Sequence, residues 1–443
     1  MKNIKFNNYA SLIAEDQLMD LLKKLIIENS EIKKAIGEGY ENDRASVCLP
    51  DDYNMLNNVK NIIYEKKKLN PSYLVVVGIG GSNLGTIAVQ EAILGKTYNQ
   101  KTSGLKVMYA DTVDPDMMKA VISIIEPVLQ RGENVIINGV SKSGGTTETI
   151  ANFEVLIELL KKYVENYQQF VVVTTDKNSK FWNLSIEHGF GVLEIPKKVG
   201  GRFSVFSPVG LFPLGMLDID IEMLMKGAKE IRDFCLSADI TDNPAAVSAG
   251  SIYLHYLNKI SIHDVFLFST DLESVGKWYR QLMGESIGKE YNLENKQVFT
   301  GITPTVSIGS VDLHSMAQMY LGGPYDKFTT FITVENNFSN ISIPNKQEYE
   351  DLVKGIQGRS LKDVMDAILV GTQKAFEKKK RPFMEIKLPD KSAYYIGQLL
   401  QFKMLEMMYL GSLMGVNTFN QPNVEEYKIE TKAILEGKIG VVN

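Results

Sequence analysis

The chain has 443 residues, 48 of them basic and 53 acidic, for a formal net charge of −5. That length gives two or three domains with ample chain for a buried core, and the mild acidity argues against nucleic acid or an anionic membrane as partner. Cys48 and Cys235 are far apart and lack metal or redox spacing, as in a reducing, cytoplasmic setting.

The opening stretch "MKNIKFNNYASLIAEDQLMD" mixes charge and Asn and has no apolar signal core. Residues 1–65 read as a helical extension packing on the second domain. There "QLMDLLKKLIIENSEIKKAI" and "NVKNIIYEKKKL" show amphipathic spacing without strand alternation. Over 66–205, strands alternate with helices. "YLVVVGIGG" precedes a helix through Gln90 and Ile93, "LKVMYAD" one near Met117 to Leu129, and "NVIINGV" a third, with "QFVVVTTD" after it. Short continuous apolar strands between helices predict a parallel sheet covered on both faces, with right-handed crossovers.

A second α/β domain with a C-terminal helical tail fills 206–443. Ser207 and Pro208 have the form of an N-cap and a first helical residue. "HDVFLFST", "TPTVSIGS" and "KFTTFITV" supply strands, and "ESVGKWYRQLMG" and "SLKDVMDAILVGTQKAFEKK" supply helices. "SAYYIGQLLQFKMLEMMYLGSLMG" is a long apolar helix. Its most apolar part, near Met407 to Val416, falls short of the ~20 residues a bilayer span requires. The expected fold class is α/β: two αβα sandwiches with parallel-type sheets, plus helical N- and C-terminal extensions.

Three familiar motifs fail. "GIGGSNLG" has Asn83 where a dinucleotide loop needs its third glycine. The "GKT" at Gly95 has Gln90 where a phosphate-binding NTPase loop needs glycine, and it follows a helix rather than a strand. Of the four histidines, only His255 and His263 are close, at no metal spacing. Neither a metal nor a cofactor is called for.

Two glycine-rich loops remain, "GIGGSNLG" with Gly81 and Ser82, and "SKSGGTTET" with Ser141, Lys142, Ser143 and Thr146. Both leave the C-terminal end of a predicted strand, where open α/β sheets bind ligands. One hydroxyl there is a helix cap. Four hydroxyls, a cation and two glycines at a helix start fit a phosphate monoester. Arg202 follows two glycines in "GGRFSVFSP"; an isolated arginine is ordinarily a solvated or structural ion pair. Glu285 follows Gly284, where the helix from Glu273 is expected to end and a loop to open. His314 lies between a strand and a short helix, equally readable as a hydrogen-bonded core histidine, and Lys428 ends a turn-rich segment. Together they suit an aldose–ketose isomerisation. A carboxylate moves a proton between adjacent carbons, a cation meets the developing enediolate charge, and an acid–base pair opens the sugar ring.

"GIGGSNLG", "SKSGGTTET", "GGRFSVFSPVG", "GESIGKE", "DLHSMAQ" and "NQPNVEEYK", in that order from Gly78 to Lys428, closely resemble the glucose-6-phosphate isomerase family in its shorter bacterial form. The resemblance implies two sugar-isomerase (SIS-type) domains, a cytoplasmic homodimer, and interconversion of glucose 6-phosphate with fructose 6-phosphate in glycolysis and gluconeogenesis. By motif position, it makes Glu285 the proton-transfer base and Arg202 the enediolate stabiliser. His314, supplied by the neighbouring subunit, and Lys428 become the ring-opening pair. Ser141, Lys142, Ser143 and Thr146 form the phosphate loop, with Gly81, Ser82 and Gln281 at the sugar and Gln421 near the phosphate. Asn423 departs from the pattern, standing where a small residue is usual; Asn tolerates positive φ, so the turn is expected to survive. Two other readings share these motifs. A related isomerase would also accept mannose 6-phosphate, and a non-catalytic sugar-phosphate sensor would have no use for Glu285, His314 and Lys428 together.

Overall fold

The computed structural model describes residues 3–237 and 239–438. Among them the strands, in chain order, are β1 (Lys5–Asn7), β2 (Pro71–Val77), β3 (Lys106–Ala110), β4 (Asn134–Ser141), β5 (Val171–Thr175), β6 (Gly191–Glu194), β7 (Ile262–Leu267), β8 (Lys289–Tyr291), β9 (Gln297–Thr300), β10 (Thr303–Ile308), β11 (Lys327–Val334) and β12 (Phe383–Leu388).

They form two five-stranded sheets and a hairpin of β8 with β9. The first sheet runs β3-β2-β4-β5-β6 and is parallel throughout. β4 and β5 are buried along almost their whole length, because helices cover both faces of a parallel sheet. The register sets the site. Val77 lies opposite Gly139, and Ser141 opposite Thr175, so the loops leaving β2, β4 and β5 emerge together at one edge.

The second sheet runs β1-β12-β11-β7-β10, parallel except for β1, which pairs antiparallel with β12. A wholly helical reading of residues 1–65 therefore fails at Lys5–Asn7. Three residues, Lys-Phe-Asn, carry no strand pattern, and pairing with the edge of β12 makes them extended. The helical tail also continues past the long apolar helix, into a helix at Val424–Leu435.

The helix Ala393–Met414 is buried along nearly its full length, as expected of one that is apolar all round. Its two interior charges meet each other: Lys403 Nζ donates to Glu406 Oε2 at 2.9 Å. Glu406 also accepts from Tyr279 (2.7 Å) and Ser248 (2.5 Å), so no buried charge is left unpaired. Tyr279 lies on the helix Glu273–Ile287, so this network fixes from behind the helix that carries Gln281 and Glu285. Among the described residues, no helix is long and apolar enough to cross a membrane.

Candidate active site

The loop after β4 turns at Gly144, whose φ of 67° is the left-handed conformation glycine adopts without strain. It ends at Thr146, the N-cap of the helix Thr147–Tyr163, yet the Thr146 side chain caps nothing. Its hydroxyl lies 3.0 Å from that of Ser141, and the first-turn amides keep their donors for an anion. Lys142 stands beside them. Burial pulls its ammonium below the usual lysine range, Asp176 acts the other way, and Lys198 and Arg202 add to the lowering. Asp176, at the end of β5, is pushed up by burial and eased by Lys142; its Oδ1 is buried with no hydrogen-bond partner among the described residues.

Gly81 passes directly against the turn Gly201–Phe203. A Cβ on Gly81 would lie 2.3 Å from the Gly201 carbonyl carbon and 2.6 Å from the Arg202 nitrogen. Only two glycine backbones can cross so closely, and that crossing delivers Arg202 beside the Gly78–Ser82 loop. The Arg202 guanidinium is buried and fully engaged. Nε donates to Ser286 Oγ (2.9 Å), NH1 to Gln421 Oε1 (2.9 Å) and Glu285 Oε2 (3.4 Å), and NH2 to the carbonyls of Thr418 and Asn420. Burial brings it down to about 10, opposed by Glu285, so it stays charged at neutral pH.

Glu285 lies in the last turn of the helix Glu273–Ile287, not in a loop after Gly284. Gly284 does not end the helix because Ser286 and Ile287 beyond it are buried; packing overrides glycine's weak propensity. Four residues earlier, on the same face, Gln281 donates from Nε2 to Glu285 Oε1 at 3.0 Å. Its own Oε1 is a buried acceptor with no hydrogen-bond partner among the described residues. Lys428 is on the helix Val424–Leu435 rather than in a turn, paired with Glu425 at 2.8 Å across its exposed face. Asn423 has φ −68°, so no positive φ is needed there.

These groups surround one cleft of ≈ 360 Å³ between the two sheets' loops. Gly81, Ser82, Lys142, Ser143, Thr146, Arg202, Gln281, Glu285, Gln421 and Lys428 all line it. Two expected residues do not. Ser141 is wholly buried behind Thr146, and the exposed His314 follows the turn Val311–Leu313 beyond β10, outside its own chain's cleft. The structure adds Glu148 and Asp176 to the lining. Asp176 was findable by rule, since it ends a strand next to β4, but that needs the strand order. Glu148 had no signal beyond its place in a helix's first turn. Among the described residues, no three of His, Cys, Asp or Glu are grouped to hold a metal ion.

Hydroxyls and helix amides at one end of such a cleft, with a carboxylate against a guanidinium at the other, put the chain in the class of phosphosugar isomerases. Residues 66–439 match the family model for phosphoglucose isomerase, and the chain belongs to that family. It is 35% identical over 371 residues to the glucose-6-phosphate isomerase of Carboxydothermus hydrogenoformans, covering 82% of this chain and 78% of that one. A hypothetical protein from Thermus thermophilus has a crystal structure similar over 98% of this chain and 99% of its own, with TM-score 0.85 and 27% identity. A glucose-6-phosphate isomerase from Chlamydia trachomatis shares the fold, with TM-score 0.83 and 20% identity over 98% of this chain and 89% of that one.

Proposed function

We propose that this chain interconverts D-glucose 6-phosphate and D-fructose 6-phosphate by ring opening and proton transfer through a cis-enediolate. The observation that carries the reading is Glu285 held 3.4 Å from the Arg202 guanidinium in a cleft that Lys142, Ser143 and Thr146 of the hydroxyl-rich loop also line. Ser143, Thr146, Lys142 and the first-turn amides take the phosphate, with Ser141 setting the Thr146 hydroxyl. Glu285 removes the proton from one of C1 and C2 and returns it to the other. Negative charge grows on the oxygens of those carbons, and Arg202 meets it through NH1, whose two partners are side chains able to turn aside. Lys428 serves ring opening from the rim.

In this reading the site is completed by a second copy of the chain in a cytoplasmic homodimer, whose exposed His314 is the other half of the ring-opening pair. The turnover test uses purified, chelated and dialysed protein with fructose 6-phosphate, and appearance of glucose 6-phosphate is the expected result. For the dimer, inactive His314→Ala and Glu285→Gln chains are mixed. Each hybrid has one intact site, so activity should return; hybrids that form by mass yet stay inactive would place His314 in its own chain's structure instead.

A further inference from the structure

Lys289 opens β8 two residues past the Glu285 helix, and its side chain is buried. Nζ donates to two backbone carbonyls, Glu285 at 2.6 Å and Asn420 at 2.5 Å. The first is a last-turn carbonyl that the helix cannot satisfy itself, and a cation there also favours the helix dipole. The second lies in the loop that joins the long apolar helix to the helix bearing Lys428. Arg202 grips the same loop from the other side, at the carbonyls of Thr418 and Asn420 and the side chain of Gln421. Asn423 adds an exposed tie, donating to Glu290 Oε2 at 2.8 Å.

The helix Val424–Leu435 contains no buried residue. No apolar side chain sunk in the core fixes where Lys428 stands, so the polar ties at its base carry that task. A buried ammonium is costly to keep. Burial, with the nearby Arg202 charge, draws Lys289 down to about 8 while Glu285 acts the other way. An amine keeps N–H donors whether or not it is protonated, so the two carbonyls stay satisfied on either side of that value.

We propose that Lys289 is a positioning residue for the isomerisation: it ties the end of the Glu285 helix to the loop leading to Lys428 and so sets the separation of the two proton-handling groups. This rests on the reaction proposed above. The tie joins the elements that carry Glu285 and Lys428, whereas Ser143 and Thr146 lie in the loop after β4, so loss of the tie should act chiefly on turnover.

The test compares the full-length wild type with Lys289→Met, Lys289→Gln and Lys289→Arg. For fructose 6-phosphate, Lys289→Met should lower kcat on the order of 10- to 100-fold, the scale of a ~1 Å misplacement, with KM within roughly threefold. Lys289→Arg restores donors and should recover most of the loss. Lys289→Gln, shorter but still a donor, is the variant to read if Lys289→Met does not fold, and it should fall between the two. Wild-type kcat in a folded Met or Gln variant, or a KM that rises while kcat holds, overturns the proposal. Amide hydrogen exchange over residues 418–431, measured without substrate, separates the two layers of inference. It should quicken roughly 10-fold in Lys289→Met. Unchanged exchange refutes the tie itself, whereas a wild type that exchanges slowly but does not turn over fructose 6-phosphate refutes only the assigned reaction.

Discussion

Glu285 accepts from an amide at one oxygen and a guanidinium at the other, and the pair aims the carboxylate into the cleft. Glu285→Gln retains size and can still accept from Gln281, but it cannot carry a proton. Loss of a general base costs ~10²–10⁴ in rate, and a factor of 10² is about 2.7 kcal/mol. The variant should bind and open the sugar yet fail to wash solvent deuterium into C2 of fructose 6-phosphate, as followed by NMR. Wild-type exchange would mean that another group is the base. At this scale the place of the loop after β4 in the cleft was legible because hydroxyls and glycines crowd a strand-to-helix junction, which needs only local chain. Glu285 and Lys428 were legible by motif and misread by context. Glycine and Gln-Pro-Asn look like punctuation, but buried neighbours carry one helix past Gly284 and another begins directly after Asn423. Lys289 stood unremarked inside "GESIGKE", and Asp176 could be found only once the strand order was known, since the value of each comes from a partner distant in sequence.

Among the elements, the crossing of the Gly78–Ser82 loop over the Gly201–Phe203 turn is the tightest joint of the site. Gly81→Ala would drive a methyl into backbone atoms that have nowhere to rotate. The loops must part, moving Ser82 away from Arg202. Overpacking of this kind costs ~1–3 kcal/mol, so the variant should be less stable in urea and also lose most of its kcat. Full activity in Gly81→Ala would show that the crossing is looser than its geometry. The glycines of "GIGGSNLG" were read as room for a ligand, and at Gly81 the neighbour is the protein's own backbone. Strand and helix alternation was legible for β2 to β5, where apolar runs stand between amphipathic ones. β6, the β8–β9 hairpin and β12 escaped because three to six residues of mixed polarity become strands only when a sheet edge or a partner strand receives them.

At the scale of the whole molecule, two histidines stack on Phe328 in the second half, His255 at 4.9 Å and His263 at 4.3 Å between ring centroids. Burial draws His255 down to about 4, with a hydrogen bond involving Ser11 acting the other way, and His263 well below its ordinary value. Between pH ~6.5 and 4 the unfolded chain takes up a proton at His255 that the folded chain refuses. Stability therefore falls on acidification through that window and is unaffected above it, by about 3 kcal/mol for His255 once pH 4 is reached. Urea unfolding of wild type and His255→Gln at pH 7 and pH 4.5 should show the wild type losing more; equal losses would show that the His255 shift is not real. The two-sheet plan was legible in the alternation of elements, whereas the attachment of the chain's first strand to its last was not. That attachment has a consequence for how the protein is made. The β2–β6 sheet uses one continuous stretch and can close as soon as that stretch leaves the ribosome. β1 is translated before any of it, yet its sole partner strand, β12, and the Gln398 side chain that accepts from Ile4 come near the far end of the chain. β1 therefore waits without its partner strand until β12 has emerged, so its docking follows closure of the β2–β6 sheet.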